Sequence, residues 1–466
     1  MLLLAVMQVL VEGARWQMIP AYLFTGVLCL VPLLNSIAPV GQSTARKWTH
    51  QIAFGLAVSL GGLGLVVSIA LPISLPVFHL PHPSGGHEIG TLTYHWIDTN
   101  RPEIFSTDPN ARRELMVQIW YPAKGDPSSP RARYVQDADA LAQGLARLYH
   151  WPRFTFAHLT YVTSDALSSA AVSDDMPVYP VLIFMEGLTG WRQMSSFQIE
   201  ELTSHGYVVA AIDQPYTAAE VVFPDGRQVA GLSKDQTDLL IQQSVEPARA
   251  APTLNGRVLN NGIIPYLAQD AVFTLDQLFE LNKADPNGIL TSRLDVQSAG
   301  IFGLSLGGIT VSEACRLEPR FGACLVMDAP TPAEVVTAGL QQPTIWITRD
   351  TRTMQLEAWR QADIDQHQSS MRAAFESLRG DGYFVRVPGM FHANLTDIPY
   401  WSPLFPWIGV TGPLDKRRAH DIVNAYSLAF FDRHLKGRPG ARLDGLASQH
   451  PEVLFETRQN TRGVNR

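Results

Sequence analysis

Ser305 stands between glycines in "FGLSLGG" (302–308), directly after an apolar run. A serine hydroxyl so placed acts as a nucleophile when a base and an acid reach it. That chemistry needs a buried strand before the serine and a helix after it, because the sharp turn between them projects the hydroxyl from the edge of a sheet. Gly303 and Gly307 suit the turn, since a Cβ at either position meets the neighbouring strand or helix. The amino end of the following helix favours negative charge nearby. G-x-S-x-G recurs by chance in long chains, so its weight comes from its flanks.

A base must come next. Five of the 13 histidines follow Ser305. His367, His420 and His434 fall on predicted helices among charged residues, and His450 falls in the tail. His392, in "PGMFHANLTD", lies in a loop after an apolar strand, at the carboxyl edge of the sheet, where a general base belongs. Two carboxylates compete to orient it: Asp328 ends "CLVMD" and Asp350 ends "IWITRD". Arg349 beside Asp350 suggests an ion pair there, and sequence logic leaves the two acids open. His205, in "SHGY", reads as a helix end beside its glycine cap.

The elements that must position these groups follow from periodicity. "GTLTYHWID" and "ELMVQIWYPA" alternate as half-buried strands. "YPVLIFME", "YVVAAID", "AGIFGLS", "ACLVMDA", "PTIWITRD" and "GYFVRVPG" are short apolar runs bounded by turn residues, as strands buried on both faces are. Helical spacing runs through "SSFQIEELTSHG", "YLAQDAVFTLDQLFELN", "GITVSEACRLE", a stretch within 354–378, and "HDIVNAYSLAFFDRHLKG". This alternation predicts an α/β fold with a mostly parallel central sheet and flanking helices. Residues 215–265 read as a long polar insertion.

The first eighty residues differ from the rest. No charge occurs between Arg15 and Arg46, or between Lys47 and Glu88. Met18–Ala38 and Ile52–Leu71 approach the roughly 20 apolar residues that cross a bilayer as helix, so two N-terminal transmembrane helices are expected, with Met1–Val11 as a third, shorter apolar stretch. Arg46 and Lys47 in "GQSTARKWTH" place that loop in the cytoplasm and the chain beyond Leu71 on the extracytoplasmic side of the membrane. The expected organisation is a membrane anchor (1–80), a Pro/Gly-rich linker (81–89), a body (90–440) and a tail (441–466). A net charge of −7 without a long basic run excludes nucleic acid as an expected partner. Three cysteines form no disulfide framework, and Cys315 and Cys324 read as buried thiols on a helix and a strand.

Taken in order, "YPVLIFMEGLTGWR", "SHGYVVAAID", "GLSLGG", "LVMDAP", "FHANLTD" and "SLAFFDRHLKG" make residues 90 to 437 resemble the plasma-type platelet-activating-factor acetylhydrolase family of α/β-hydrolases. The resemblance implies Asp328 as the acid, with His392 and Asn394 matching an H-x-N motif. It implies an oxyanion site made by the backbone amides of Leu188 and Leu306. It also implies calcium-independent hydrolysis, without a cofactor, of short or oxidised sn-2 acyl chains of phospholipids; the sequence shows no calcium loop or metal-ligand cluster. Trp191, Phe391 and Trp401, with Leu188, Tyr400, Phe405 and Trp407, are expected around an apolar acyl pocket, although core packing claims such residues equally well. One departure stands out: Glu186 occupies the place of a histidine before Gly187, and a carboxylate there opposes an oxyanion unless protonated or paired, for example with Arg192. A general carboxylesterase acting on small esters or polyester fragments, and a non-catalytic protein of this fold, are the alternatives.

Overall fold

Runs such as Tyr179–Met185, in which every residue is buried, face protein on both sides and therefore pair inside a sheet. The computed structural model describes residues 2–37, 44–125, 129–438 and 440–459. Its strands are β1 (Glu88–Pro102), β2 (Arg112–Ala123), β3 (Arg131–Arg133), β4 (Thr163–Ser168), β5 (Tyr179–Met185) and β6 (Val208–Asp213). Two small hairpins follow, β7 (Glu220–Val222) with β8 (Gln228–Ala230) and β9 (Thr253–Leu254) with β10 (Arg257–Val258), both within the polar insertion. The remaining strands are β11 (Leu294–Leu304), β12 (Phe321–Met327), β13 (Thr344–Thr348), β14 (Gly382–Arg386) and β15 (Leu454–Arg458).

Eleven strands form one sheet in the order β15-β14-β13-β12-β11-β5-β6-β2-β1-β4-β3. The stretch from β14 to β6 is parallel throughout, and it is built from the six apolar runs singled out in the sequence. Antiparallel pairing begins at β2 on one side and at β15 on the other. β15 lies in the segment expected as a tail; its alternating Leu454-Phe455-Glu456 pattern pairs along β14 as an edge strand.

Alternate residues of a strand point to opposite faces. Ile301 joins the cluster of Leu275 and Val311, from helices Ile264–Lys283 and Leu306–Leu317. Phe302 instead meets Phe431 of helix Lys416–His434, with ring centroids 6.1 Å apart. Helices thus cover both faces, and a parallel sheet so covered exposes mainly its strand ends, where loops collect polar groups.

The chain divides into two compact units. One comprises His79–Tyr400 and Phe405–Arg466; the other comprises Met1–Phe78 together with Trp401–Leu404. In the latter, helices cover Leu2–Glu12, Ile19–Ile37 and Thr44–Ser74. Its side-chain distribution is inverted relative to a water-soluble bundle: Gln17, Thr25 and Ser68 are buried, while Leu3, Leu10, Leu23, Leu60 and Val66 are exposed. Gly61 lets the Phe24 ring approach so closely that a Cβ there would lie 2.2 Å from it.

Among the described residues no helix is long and apolar enough to cross a membrane. The transmembrane helices expected over 18–38 and 52–71 are therefore not supported. Helices do form there, over Ile19–Ile37 and Thr44–Ser74. Residues 38–43, which include the first three residues of the expected cytoplasmic loop, lie outside the described residues.

Candidate active site

β11 ends at Leu304 and helix Leu306–Leu317 begins two residues on, so Ser305 carries the whole reversal of direction. Its backbone sits at φ 58° and ψ −121°, a conformation that L-residues rarely adopt. The strain is held from both sides: the Ser305 N–H donates to Met327 O at 2.9 Å, and its carbonyl accepts from Ile309 N at 3.0 Å. Space around the turn explains the flanking glycines. A Cβ on Gly307 would lie 2.0 Å from Met185 O, and one on Gly303 would lie 2.7 Å from the Gly307 carbonyl carbon.

The acid choice turns on where each carboxylate points. Asp328 follows β12, at φ 46°, and its N–H donates to Ile347 O at 2.9 Å. His392 Nδ1 lies 2.5 Å from Asp328 Oδ2. Asp350 instead starts helix Thr351–Leu356, where Oδ1 accepts from Thr353 N at 3.0 Å. It is a helix cap. Arg349 does not pair with it; its guanidinium reaches Asp328 and Glu357.

His392 begins a short 3-10 turn, His392–Leu395, and its side chain stays partly exposed. Asn394 fastens that turn, for its Oδ1 accepts from Phe391 N at 2.9 Å and Gly412 N at 2.7 Å. Buried and so engaged, Asn394 holds the histidine loop in shape.

The "EGLTG" turn packs directly on the serine: a Cβ on Gly187 would lie 3.3 Å from Ser305 Cβ. Thr189, at φ 59°, is tied down by donating its N–H to Thr217 O at 2.7 Å. Leu188 precedes it on this turn. Leu306 opens the helix after Ser305, and first-turn amides have no carbonyl of their own helix to bond.

Glu186 is fully buried. Its Oε1 accepts from Gln214 N at 2.8 Å, and its Oε2 has no hydrogen-bond partner. Burial, reinforced by Asp213, raises its carboxyl well above the ordinary range. The pairing with Arg192 suggested by the sequence does not occur, because Arg192 gives its guanidinium and its backbone N–H to Asp213. Protonation is what remains to neutralise Glu186.

Of the expected pocket residues, Trp191, Phe391, Tyr400 and Phe405 are buried, Trp407 is 87% exposed, and Trp401 groups with the N-terminal unit. Several partners of Asp328 were invisible in the sequence. Thr348 Oγ1 donates to Oδ1 at 2.8 Å, and His367 Nε2 lies 3.3 Å from the same oxygen. A usable signal existed for His367, since Ile364, His367, Met371 and Ala374 share the buried stripe of helix Gln361–Ser377. Cys315 and Cys324 form a disulfide, against the expectation of free thiols: the last turn of helix Leu306–Leu317 and strand β12 are joined by a short turn that leaves their Cα atoms 6.6 Å apart.

A strained serine between strand and helix, beside a buried aspartate bonded to a histidine, on a large and mostly parallel sheet, defines the α/β class of ester hydrolases. The chain belongs to the family "Platelet-activating factor acetylhydrolase, isoform II", which it matches over residues 74–450. It is 23% identical over 379 residues to platelet-activating factor acetylhydrolase of Gallus gallus, covering 77% of this chain and 84% of that one. It is 24% identical over 422 residues to a probable 1-alkyl-2-acetylglycerophosphocholine esterase of Arthroderma benhamiae, covering 84% and 97% respectively. Among solved structures, a ferulic acid esterase from Streptomyces cinnamoneus superposes with a TM-score of 0.61 at 26% identity, over 81% of this chain and 99% of that one. The protein is an ester hydrolase.

Proposed function

We propose that the chain hydrolyses short or oxidised sn-2 acyl esters of phospholipids through Ser305, His392 and Asp328. The observation that carries this reading is the 2.5 Å contact of His392 Nδ1 with the buried carboxylate of Asp328, one strand away from the strained Ser305. In this mechanism His392 Nε2 takes the proton as Ser305 Oγ attacks the ester carbonyl, and Asp328 stabilises the imidazolium that results. The amides of Leu188 and Leu306 receive the oxyanion. Collapse expels the lyso-phospholipid alcohol, which takes the proton from His392. Water, activated by the same base, then frees the acyl group from Ser305. Trp191 and Phe391, both buried, are proposed to shape the acyl pocket. Neutral Glu186 leaves the oxyanion without an opposing charge.

Lipid contact is proposed for the N-terminal unit, whose outward leucines and inward Gln17, Thr25 and Ser68 suit a lipid surroundings better than water. We place the catalytic body on the extracytoplasmic side. Support comes from Arg46 and Lys47 in the first turn of helix Thr44–Ser74 and from the Cys315–Cys324 disulfide, a bond that persists in oxidising compartments. Extraction of the full chain by carbonate instead of detergent would contradict the embedded reading.

The alternative, a general carboxylesterase, is favoured by the similarity to a ferulic acid esterase. Turnover of a short-chain phosphatidylcholine, p-nitrophenyl acetate and a feruloyl ester separates the two; equal rates without phospholipid preference count against the lipid reading. Fluorophosphonate labelling should mark the wild type and spare Ser305→Ala, and labelling that survives in the variant removes the nucleophile assignment.

A further inference from the structure

Asp328 has more partners than the orientation of one imidazole requires. Its Oδ2 meets both His392 Nδ1, at 2.5 Å, and Arg349 Nε, at 2.7 Å, while Oδ1 is held by Thr348 and His367. Arg349 is itself fully buried. Its guanidinium lies over the Trp359 ring, 4.3 Å from the centroid, and also pairs with Glu357. Glu357 closes the circuit, because both of its oxygens lie 3.4 Å from the backbone N of His392. A continuous chain of contacts thus runs from Asp328 through Arg349 and Glu357 to the loop that carries His392.

The charges in this circuit oppose one another. Burial alone would raise the Asp328 carboxyl, but the Arg349 charge and the hydrogen bonds of His367 and His392 hold it well below the ordinary range. His367, from helix Gln361–Ser377, is lowered by burial and stays neutral near pH 7. Trp359 carries no charge. Among the described residues, the charged and titratable groups in contact with the Asp328–His392 pair are the cation Arg349, the anion Glu357 and the neutral His367.

We propose that Arg349 is a positioning residue of the ester hydrolysis: by sharing Asp328 Oδ2 with His392 it fixes the carboxylate and, balanced by Glu357, sets the pH at which the rate falls on the acid side. This rests on the roles given above to Ser305, His392 and Asp328. As His392 gains its proton, Asp328 must stabilise the new charge, and a cation on the same oxygen withholds part of that stabilisation. Neutralising Arg349 leaves Asp328 Oδ2 to the imidazole alone, and neutralising Glu357 leaves the Arg349 charge unopposed beside that oxygen.

The test is the pH profile of kcat/KM for p-nitrophenyl acetate with wild type, Arg349→Met, Arg349→Lys and Glu357→Gln, alongside fluorophosphonate mapping of Ser305. The acid limb is expected to move up by about one pH unit in Arg349→Met and down by a similar amount in Glu357→Gln. Arg349→Lys should keep the wild-type limb at a lower kcat, because the charge persists without the planar fork. A purely structural role would lower rate or stability and leave the limbs superimposed, and superimposed limbs overturn the proposal. Should Arg349→Met fail to fold, an unmoved limb in Glu357→Gln overturns it alone. Failure of the wild type to label at Ser305 overturns instead the site reading on which the proposal rests.

Discussion

Replacing Glu186 by Gln should stabilise the protein increasingly as pH rises. The side chain is enclosed, accepts one hydrogen bond from Gln214 N at 2.8 Å, and leaves Oε2 with no partner. Nearby Asp213 is matched by Arg192, and Asp270 by Arg101 and Arg113, so no cation is spare for a third carboxylate. Burial first, then Asp213, lifts the folded-state value above the ordinary 4.5. Between the unfolded and folded values the native state holds one proton more than the unfolded chain, so wild-type stability falls as pH rises through that window. The slope is on the order of 1 kcal/mol per pH unit, and it ends where the folded value is passed. Glutamine keeps the acceptor and the shape of the neutral acid but binds no proton, so the variant lacks this slope. Urea unfolding of both proteins at about pH 5, 6 and 7 should show a difference in favour of Gln that widens at each step. The rate on p-nitrophenyl acetate at pH 7 should stay within about threefold, since a neutral group replaces a neutral group beside the oxyanion turn. A difference that is flat or shrinks with pH would refute the argument. A tenfold loss of kcat would do the same, because it would mean that the ionised form matters.

Asp328→Asn should lower kcat by about three orders of magnitude or more, whereas Asp350→Ala should leave kcat within about twofold and cost about 1 kcal/mol of stability for the lost cap. Steady-state kinetics with denaturant melts distinguishes these outcomes. Gly307→Ala should destabilise by more than about 3 kcal/mol, because its Cβ would meet the carbonyls of Met185 and Glu186, backbone that cannot rotate away; soluble yield and melting temperature report it. Replacing Cys315 and Cys324 together by Ala should cost about 2–3 kcal/mol in denaturant melts of the oxidised protein and leave KM unchanged, since the disulfide closes a loop of nine residues' separation away from Ser305.

Features encoded along the chain were legible in the sequence. The six parallel strands were readable because each is a short apolar run bounded by turn residues, and the turn at Ser305 because only glycines tolerate the approach of Met185 O. Features that depend on partners from other strands were not. Arg349 and Asp350 are adjacent in sequence, yet successive residues leaving a strand point to opposite sides. Asp350 turns to cap its own helix, while Arg349 crosses to Asp328 at the end of the next strand. Arg192 likewise passes over Glu186, in its own turn, for Asp213 at the end of β6. His367 falls among charged residues along the chain, yet its helical face is otherwise apolar.

The order β11-β12-β13-β14 accounts for much of what the local patterns lacked. Neighbouring strands lie about 4.8 Å apart, so groups at adjacent strand ends fall within reach of one another and groups two strands apart need a long side chain or a loop. Ser305 follows β11 and Asp328 follows β12, each with a positive φ that lifts it from the sheet edge. From β13, Thr348 and Arg349 reach back one strand to Asp328. From beyond β14, the loop fixed by Asn394 brings His392 across two strands to the same carboxylate. The Arg349 guanidinium and the His392 imidazole both reach Asp328 from this side of the strand order, and they share Oδ2. The tuning proposed for Arg349 is thus a consequence of strand order, and a residue pattern that finds serine, aspartate and histidine in sequence carries no trace of it.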